Sequence, residues 1–164
     1  MTQIVLYNTP KVSDLLQICW ELPSDEREQI EACTGRAYDA DAQALSLAQR
    51  NGPSWVLCDE SKPIAAAGFD IIRPGVYQDW MVNTHSAFDQ HWRTTTKHVK
   101  RVMDAMLRTS AHRLQCVSLR SRVQAHAWYR VLGYREGGLL EAYGANGEDF
   151  LMFYRLKVWE DGVK

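Results

Sequence analysis

Three apolar runs follow one another with almost nothing between them: Ser54 to Cys58, Ile64 to Asp70 and Val76 to Asn83. The connections are Asp59 to Pro63 and Arg73-Pro74-Gly75, both rich in turn-forming residues. Links this short allow only antiparallel neighbours, because a parallel pair needs a crossover of a dozen or more residues. A three-strand meander is therefore expected at the centre of the chain. What precedes and follows it must pack on its two faces.

Before the meander, Ile4 to Tyr7 reads as a first strand, and Thr9-Pro10 reads as the start of a helix. Val12, Leu15, Leu16, Cys19 and Trp20 would form that helix's apolar face. A second helix restarts at Pro23-Ser24-Asp25-Glu26 and ends at Gly35, and Asp39 caps a third from Ala40 to about Arg50. After the meander, Thr94 to Leu107 predicts a helix with Val99, Val102, Met103, Met106 and Leu107 on one face. Leu114 to Leu119 is a strand and Val123 to Leu132 a helix. Two further strands, Leu139 to Tyr143 and Phe150 to Leu156, flank a loop from Gly144 to Asp149. The order predicts one α/β domain spanning residues 1–164, a mixed and mostly antiparallel central sheet flanked by helices.

The bulk figures exclude several classes. Net charge is −1, so nothing global points to nucleic acid or a membrane surface. Cys19, Cys33, Cys58 and Cys116 are widely spaced, without metal-ligand spacing, and read as free thiols rather than a zinc site or disulfide framework. No apolar run is long enough to span a membrane, and the first ten residues lack the pattern of a signal peptide, so synthesis in the cytoplasm is expected. Trp159, beyond the last strand, reads as a residue packing on its own domain or on a second subunit.

The stretch Ala125-His126-Ala127-Trp128-Tyr129-Arg130-Val131-Leu132-Gly133-Tyr134 carries the most specific signal. Ala125, Trp128, Tyr129 and Leu132 fall on one helical stripe, which by itself suits core packing. The same stretch resembles the last helix of the GCN5-related N-acetyltransferases, which often reads A-x-x-x-Y-x-x-x-G-F; Tyr134 stands here for the usual Phe. The region from Trp80 to Arg155 is further similar to acetyltransferase-like proteins of tailed bacteriophages, the group that includes internal virion protein A. Trp80-Met81-Val82-Asn83-Thr84, the run from Thr96 to Arg101, Gln124 to Trp128, and Tyr143-Gly144 leading to Gly147-Glu148-Asp149-Phe150 carry that likeness.

The resemblance implies acetyl-CoA bound in a wedge between the strands at Val76–Asn83 and Leu114–Leu119, with Trp80 and Val82 on the wall. It implies Tyr129 as the acid that protonates the departing thiolate. For the base it offers Asp70, Asp79, His85 and Glu141, of which Asp79, beside Trp80 in the cleft strand, is preferred. His126 reads as a partly exposed polar residue. One departure stands out. The superfamily's pyrophosphate loop, Q/R-x-x-G-x-G/A, has no counterpart here, since no glycine occurs from Val76 to Leu132. The best register is Gln90-His91-Trp92-Arg93-Thr94-Thr95, leaving Arg93, Thr94, Thr95, Thr96 and Lys97 as phosphate ligands through their side chains.

Two functions therefore stand open. One is an acetyl-CoA-dependent N-acetyltransferase acting on a protein or small-molecule amine. The other, favoured by the missing glycines, is a virion or head-morphogenesis component of a phage, made in the host cytoplasm and packaged in the virion. Its partners would be other virion proteins or itself, with no nucleic acid, membrane or metal. From the missing glycines, acetyl-CoA binding is expected to be weak or absent.

Overall fold

The computed structural model describes residues 4–158, and their side chains from residue 8 onward; Trp159 lies outside the described residues. The order is β1 (Ile4–Asn8), α1 (Val12–Trp20), α2 (Ser24–Thr34), α3 (Ala40–Ala48), β2 (Ser54–Asp59), β3 (Lys62–Arg73) and β4 (Val76–Asn83). It continues with α4 (His85–Asp89), α5 (Trp92–Thr109), β5 (Arg113–Leu119), α6 (Val123–Val131), β6 (Arg135–Leu140) and β7 (Phe150–Leu156). The seven strands form one sheet in the order β1-β2-β3-β4-β5-β7-β6. Every neighbouring pair is antiparallel except β4 and β5.

Strand alternation sorts the core into two layers. Trp55, Leu57, Ala65, Ala67 and Phe69 face α5 and α6, meeting Val99, Met103 and Leu107. Val56, Cys58, Ala66 and Val82 face the other way, onto Leu15, Ile18, Cys19, Ala44 and Leu47 of α1 and α3. Both faces of the central strands are thus covered, which is why β2 and β3 read as nearly unbroken apolar runs.

Several expectations need correction. Helix α1 starts at Val12, and its entry is fixed by the Lys11 N–H donating to the Asp14 carboxylate at 2.9 Å. Thr9 is no cap: it sits at φ 58° and donates its N–H to the Ser54 carbonyl. The buried stripe of α1 is Leu15, Ile18, Cys19 and, just beyond, Leu22. Val12 and Trp20 are exposed, and the Trp20 indole donates to Asp41. Strand β6 lies four residues earlier than expected, directly after Tyr134. Its Gly137-Gly138 pair forms a bulge rather than a break. The loop after it accordingly runs from Glu141 to Asp149. Helix α4 occupies the segment between β4 and α5, where the sequence pattern gives no element.

Candidate active site

Strands β4 and β5 pair only at Val76–Arg113, Tyr77–Leu114 and Gln78–Gln115. From Asp79 and Cys116 onward they diverge, while each keeps its outer partner, β3 and β7. A cavity of about 680 Å³ occupies the gap. Its wall includes Pro23, Asp25, Gln43 and Arg50 from the α1–α3 side and Phe88, Met103, Trp128 and Tyr129 from the α4–α6 side. The opening therefore passes through the sheet, and two molecules could meet in it from opposite faces. Trp92 does not fill it; that side chain is 51% exposed on the surface.

Asp79 projects into the gap from β4. The Tyr134 hydroxyl donates to its Oδ2, while Oδ1 is buried with no hydrogen-bond partner. Burial pushes the Asp79 carboxyl well above the usual carboxylate range. Tyr134 reaches this point because α6 stops at Gly133, whose φ of 91° suits glycine and turns the chain back under the helix. The Tyr134 N–H closes that turn onto the Tyr129 carbonyl at 3.0 Å. The rings of Tyr129 and Tyr134 lie 6.2 Å apart. Burial, with the Cys116 sulfur close by, raises the Tyr129 phenol above its ordinary value, so the phenol keeps its proton at neutral pH.

Sequence reasoning missed two members of this site, Tyr134 and Cys116, and the burial of a third residue behind it, His126. Tyr134 was visible only as a replacement for Phe, yet the hydroxyl that distinguishes the two is what meets Asp79. Cys116 lines the wedge on β5, its thiol pushed up first by burial and then by Asp79. His126 is buried rather than partly exposed, and its Nε2 lies 3.1 Å from the Ser118 hydroxyl; burial lowers its basicity. The fourth unforeseen feature is a brace across the wedge. Arg122, with its side chain 6% exposed, reaches α2 through Asp25 (3.1 Å), Gln29 (3.0 Å) and Glu26 (2.7 Å). Gln29 also accepts the Leu119 N–H, standing in for a strand partner at the end of β5. No signal short of a three-dimensional fold links α2 to residue 122.

Of the other base candidates, two fall away from the wedge or have other duties, and the third stays on its wall. Asp70 pairs with Arg50, and Glu141 is exposed in the loop before β7. His85 opens α4 and lines the cavity. Trp80 and Val82 also line it, but their side chains pack toward the α1–α3 layer. Trp80 lies so close to β3 that a Cβ at Gly68 would sit 2.7 Å from its ring.

The phosphate candidates are placed differently. None of Arg93, Thr94, Thr95, Thr96 and Lys97 lines the cavity. The Thr95 hydroxyl is buried and donates to the Ala87 carbonyl at 2.9 Å, joining α5 to α4. The Thr96 hydroxyl donates to the Trp92 carbonyl and accepts the Trp128 indole N–H at 3.0 Å. Both hydroxyls are committed inside the protein, which corrects the expectation that they hold phosphate. Arg93 and Lys97 are exposed, with Arg93 over the Trp92 ring. Among the described residues no cluster of His, Cys, Asp or Glu is arranged to hold a metal, and no helix is long and apolar enough to cross a membrane.

No protein-family profile matches the chain, and no curated protein matches it in sequence. Solved structures do match. A ribosomal-protein-alanine N-acetyltransferase from Brucella melitensis superposes with a TM-score of 0.69 at 14% identity, covering 93% of this chain and 99% of that one. A GNAT-family acetyltransferase from Bacillus anthracis gives 0.71 at 11% identity, covering 96% and 97%. The yncA protein of Salmonella typhimurium, solved with its cofactor acetyl-CoA, gives 0.69 at 12% identity, covering 97% and 96%. The chain has the GNAT fold.

Proposed function

We propose that this chain is an acyl-CoA-dependent N-acyltransferase that works in the split between β4 and β5. The observation that carries the proposal is the Asp79–Tyr134 pair facing Tyr129 inside a cavity open to both faces of the sheet. A buried acid with a raised pKa beside a phenol that holds its proton is a matched base and acid.

The wedge fits the thioester end of acetyl-CoA: a strand edge without a partner beyond Gln78, and an acceptor oxygen of Asp79 with nothing bound to it. The cofactor would supply the acyl thioester. Asp79, with its second oxygen held by Tyr134, takes the proton that the attacking amine must lose. Tyr129 returns a proton to the departing sulfur. Burial leaves this phenol a weaker acid than the thiol, so the transfer requires close approach of the hydroxyl to the sulfur. Arg122 keeps α2 against the far side of the wedge, where the acceptor would enter. At the phosphate end the fit rests on Arg93 and Lys97 alone, since the backbone route through glycines is absent and the nearby threonine hydroxyls are occupied.

The test is release of free thiol from acetyl-CoA in the presence of a panel of primary amines, including peptides with free N-termini. Amine-dependent release that Asp79→Asn abolishes supports the proposal; no release with any acceptor contradicts it. A second reading, in which the fold serves as a scaffold without catalysis, draws support from the same phosphate end. Thr95 and Thr96 are spent on internal contacts, and Trp128 ties α6 to the first turn of α5 where a diphosphate would need room.

A further inference from the structure

Helix α5 has two faces of opposite character. Thr95, Val99, Met103 and Leu107 are buried in the core. The outer face carries Arg93, Lys97, Lys100, Arg101 and Arg108, all exposed. At about 100° per residue these five fall within roughly 100° of arc, and at 1.5 Å per residue they span roughly 22 Å. The helix contains one acid, Asp104, and that carboxylate is paired with Arg155 from β7. The chain as a whole has 19 basic and 20 acidic residues, so five cations against one already neutralised acid is segregation, not average surface composition. The one acid, Asp104, lies on the same arc, four residues from Lys100 and from Arg108, but its ion pair is with Arg155 rather than with either of them. Among the described residues none of the five has an ion-pair partner. Arg93 also opposes the dipole at the helix start.

We propose that this face of α5 binds single-stranded nucleic acid, with the cations along the phosphodiesters and Trp92 as a stacking platform at the head of the stripe. A run of five cations over this length matches a regularly charged backbone. The exposed Trp92 indole, with the Arg93 guanidinium 5.5 Å from its centroid, selects a partner with flat bases, to which an acidic peptide has no counterpart. The net charge of −1 gave no hint of such a partner because the basic stripe is averaged against acids elsewhere. Lys100, Arg101 and Arg108 lie on later turns of the helix than Arg93 and Lys97, so this surface extends past the phosphate ligands discussed above.

The test is fluorescence anisotropy of a labelled twenty-nucleotide oligothymidylate with the full chain, repeated across salt concentrations. Four or five phosphate contacts predict a salt slope of about −3 on log–log axes. The double variant Lys100→Glu/Arg101→Glu should lose more than tenfold in affinity with an unchanged circular dichroism spectrum, and Trp92→Leu should lose a few-fold. Four results would overturn the proposal: no saturable binding at low salt, no effect of the double variant, equal displacement by polyglutamate per unit charge, or complete displacement by acetyl-CoA. The last would mark the stripe as part of the cofactor site instead. Acetyltransferase activity is not a readout here, so the outcome stands apart from that of the catalytic proposal.

Discussion

The two ends of the wedge are built on different terms. At the inner end, Asp79, Tyr134, Tyr129 and Cys116 are held by strand register, a helix stop and close ring packing. At the outer end, where α4 meets α5, the charged groups suited to phosphate are exposed side chains on a helix surface, and the Thr95 and Thr96 hydroxyls donate to backbone carbonyls. The contrast follows from what each task requires. Proton transfer tolerates little displacement of the acid and base, so the fold must fix them. Gripping a diphosphate can be done by backbone N–H groups in a glycine turn or by flexible cations. Only the first of these needs a particular backbone.

Four variants probe that contrast, beginning with the greatest effect. Asp79→Asn removes the base and should lower kcat/KM by about 10²- to 10⁴-fold. In the parent protein, kcat/KM should fall as pH drops through the Asp79 value. Because that value is raised, the fall occurs above the usual carboxylate range, and the variant should show a flat limb there. A parent profile whose acid limb sits at ordinary carboxylate pH would remove Asp79 from the role. Arg122→Ala should cost about 3–5 kcal/mol of stability in denaturant melts, since it leaves Glu26 buried and unpaired. Burial already pushes the Glu26 carboxyl up to about 7 despite Arg122, so the pair is marginal and the brace depends on both partners. Loss of under 1 kcal/mol would mean that α2 is held by other contacts.

Tyr129→Phe should lower turnover by about 10²-fold with KM and melting temperature nearly unchanged. Unchanged turnover would return Tyr129 to a purely packing role beside Phe153 and Tyr134. Arg93→Ala/Lys97→Ala should have the smallest effect, a KM for acetyl-CoA raised about tenfold with kcat and stability preserved. If kcat collapsed instead, the outer end would be as tightly coupled to the chemistry as the inner one, and the contrast would fail.

How much of this was legible in the sequence depends on whether a residue's role is local. The meander, the cap at Asp39 and the stops at Gly35 and Gly133 follow from neighbours in the chain, and they were readable. Asp79 and Tyr129 were singled out through the family resemblance, since helical period alone assigns Tyr129 to packing. Strand β6 was misplaced because Gly137-Gly138 reads as a break, whereas β7 supplies the pairing that makes it a bulge. His126 looked half-exposed by helical period, but Ser118 on β5 draws it inside. Thr95 and Thr96 looked available because no local pattern links them to Ala87 or Trp128. The Arg122 brace spans more than ninety residues of chain and leaves no pattern at either end.

Isothermal calorimetry with acetyl-CoA addresses the central claim most directly, since every catalytic assignment presupposes that the wedge admits the thioester. The account predicts one-to-one binding with a micromolar dissociation constant, weakened about tenfold by Arg93→Ala/Lys97→Ala. The absence of any saturable heat at millimolar acetyl-CoA would contradict it and leave the fold as a scaffold.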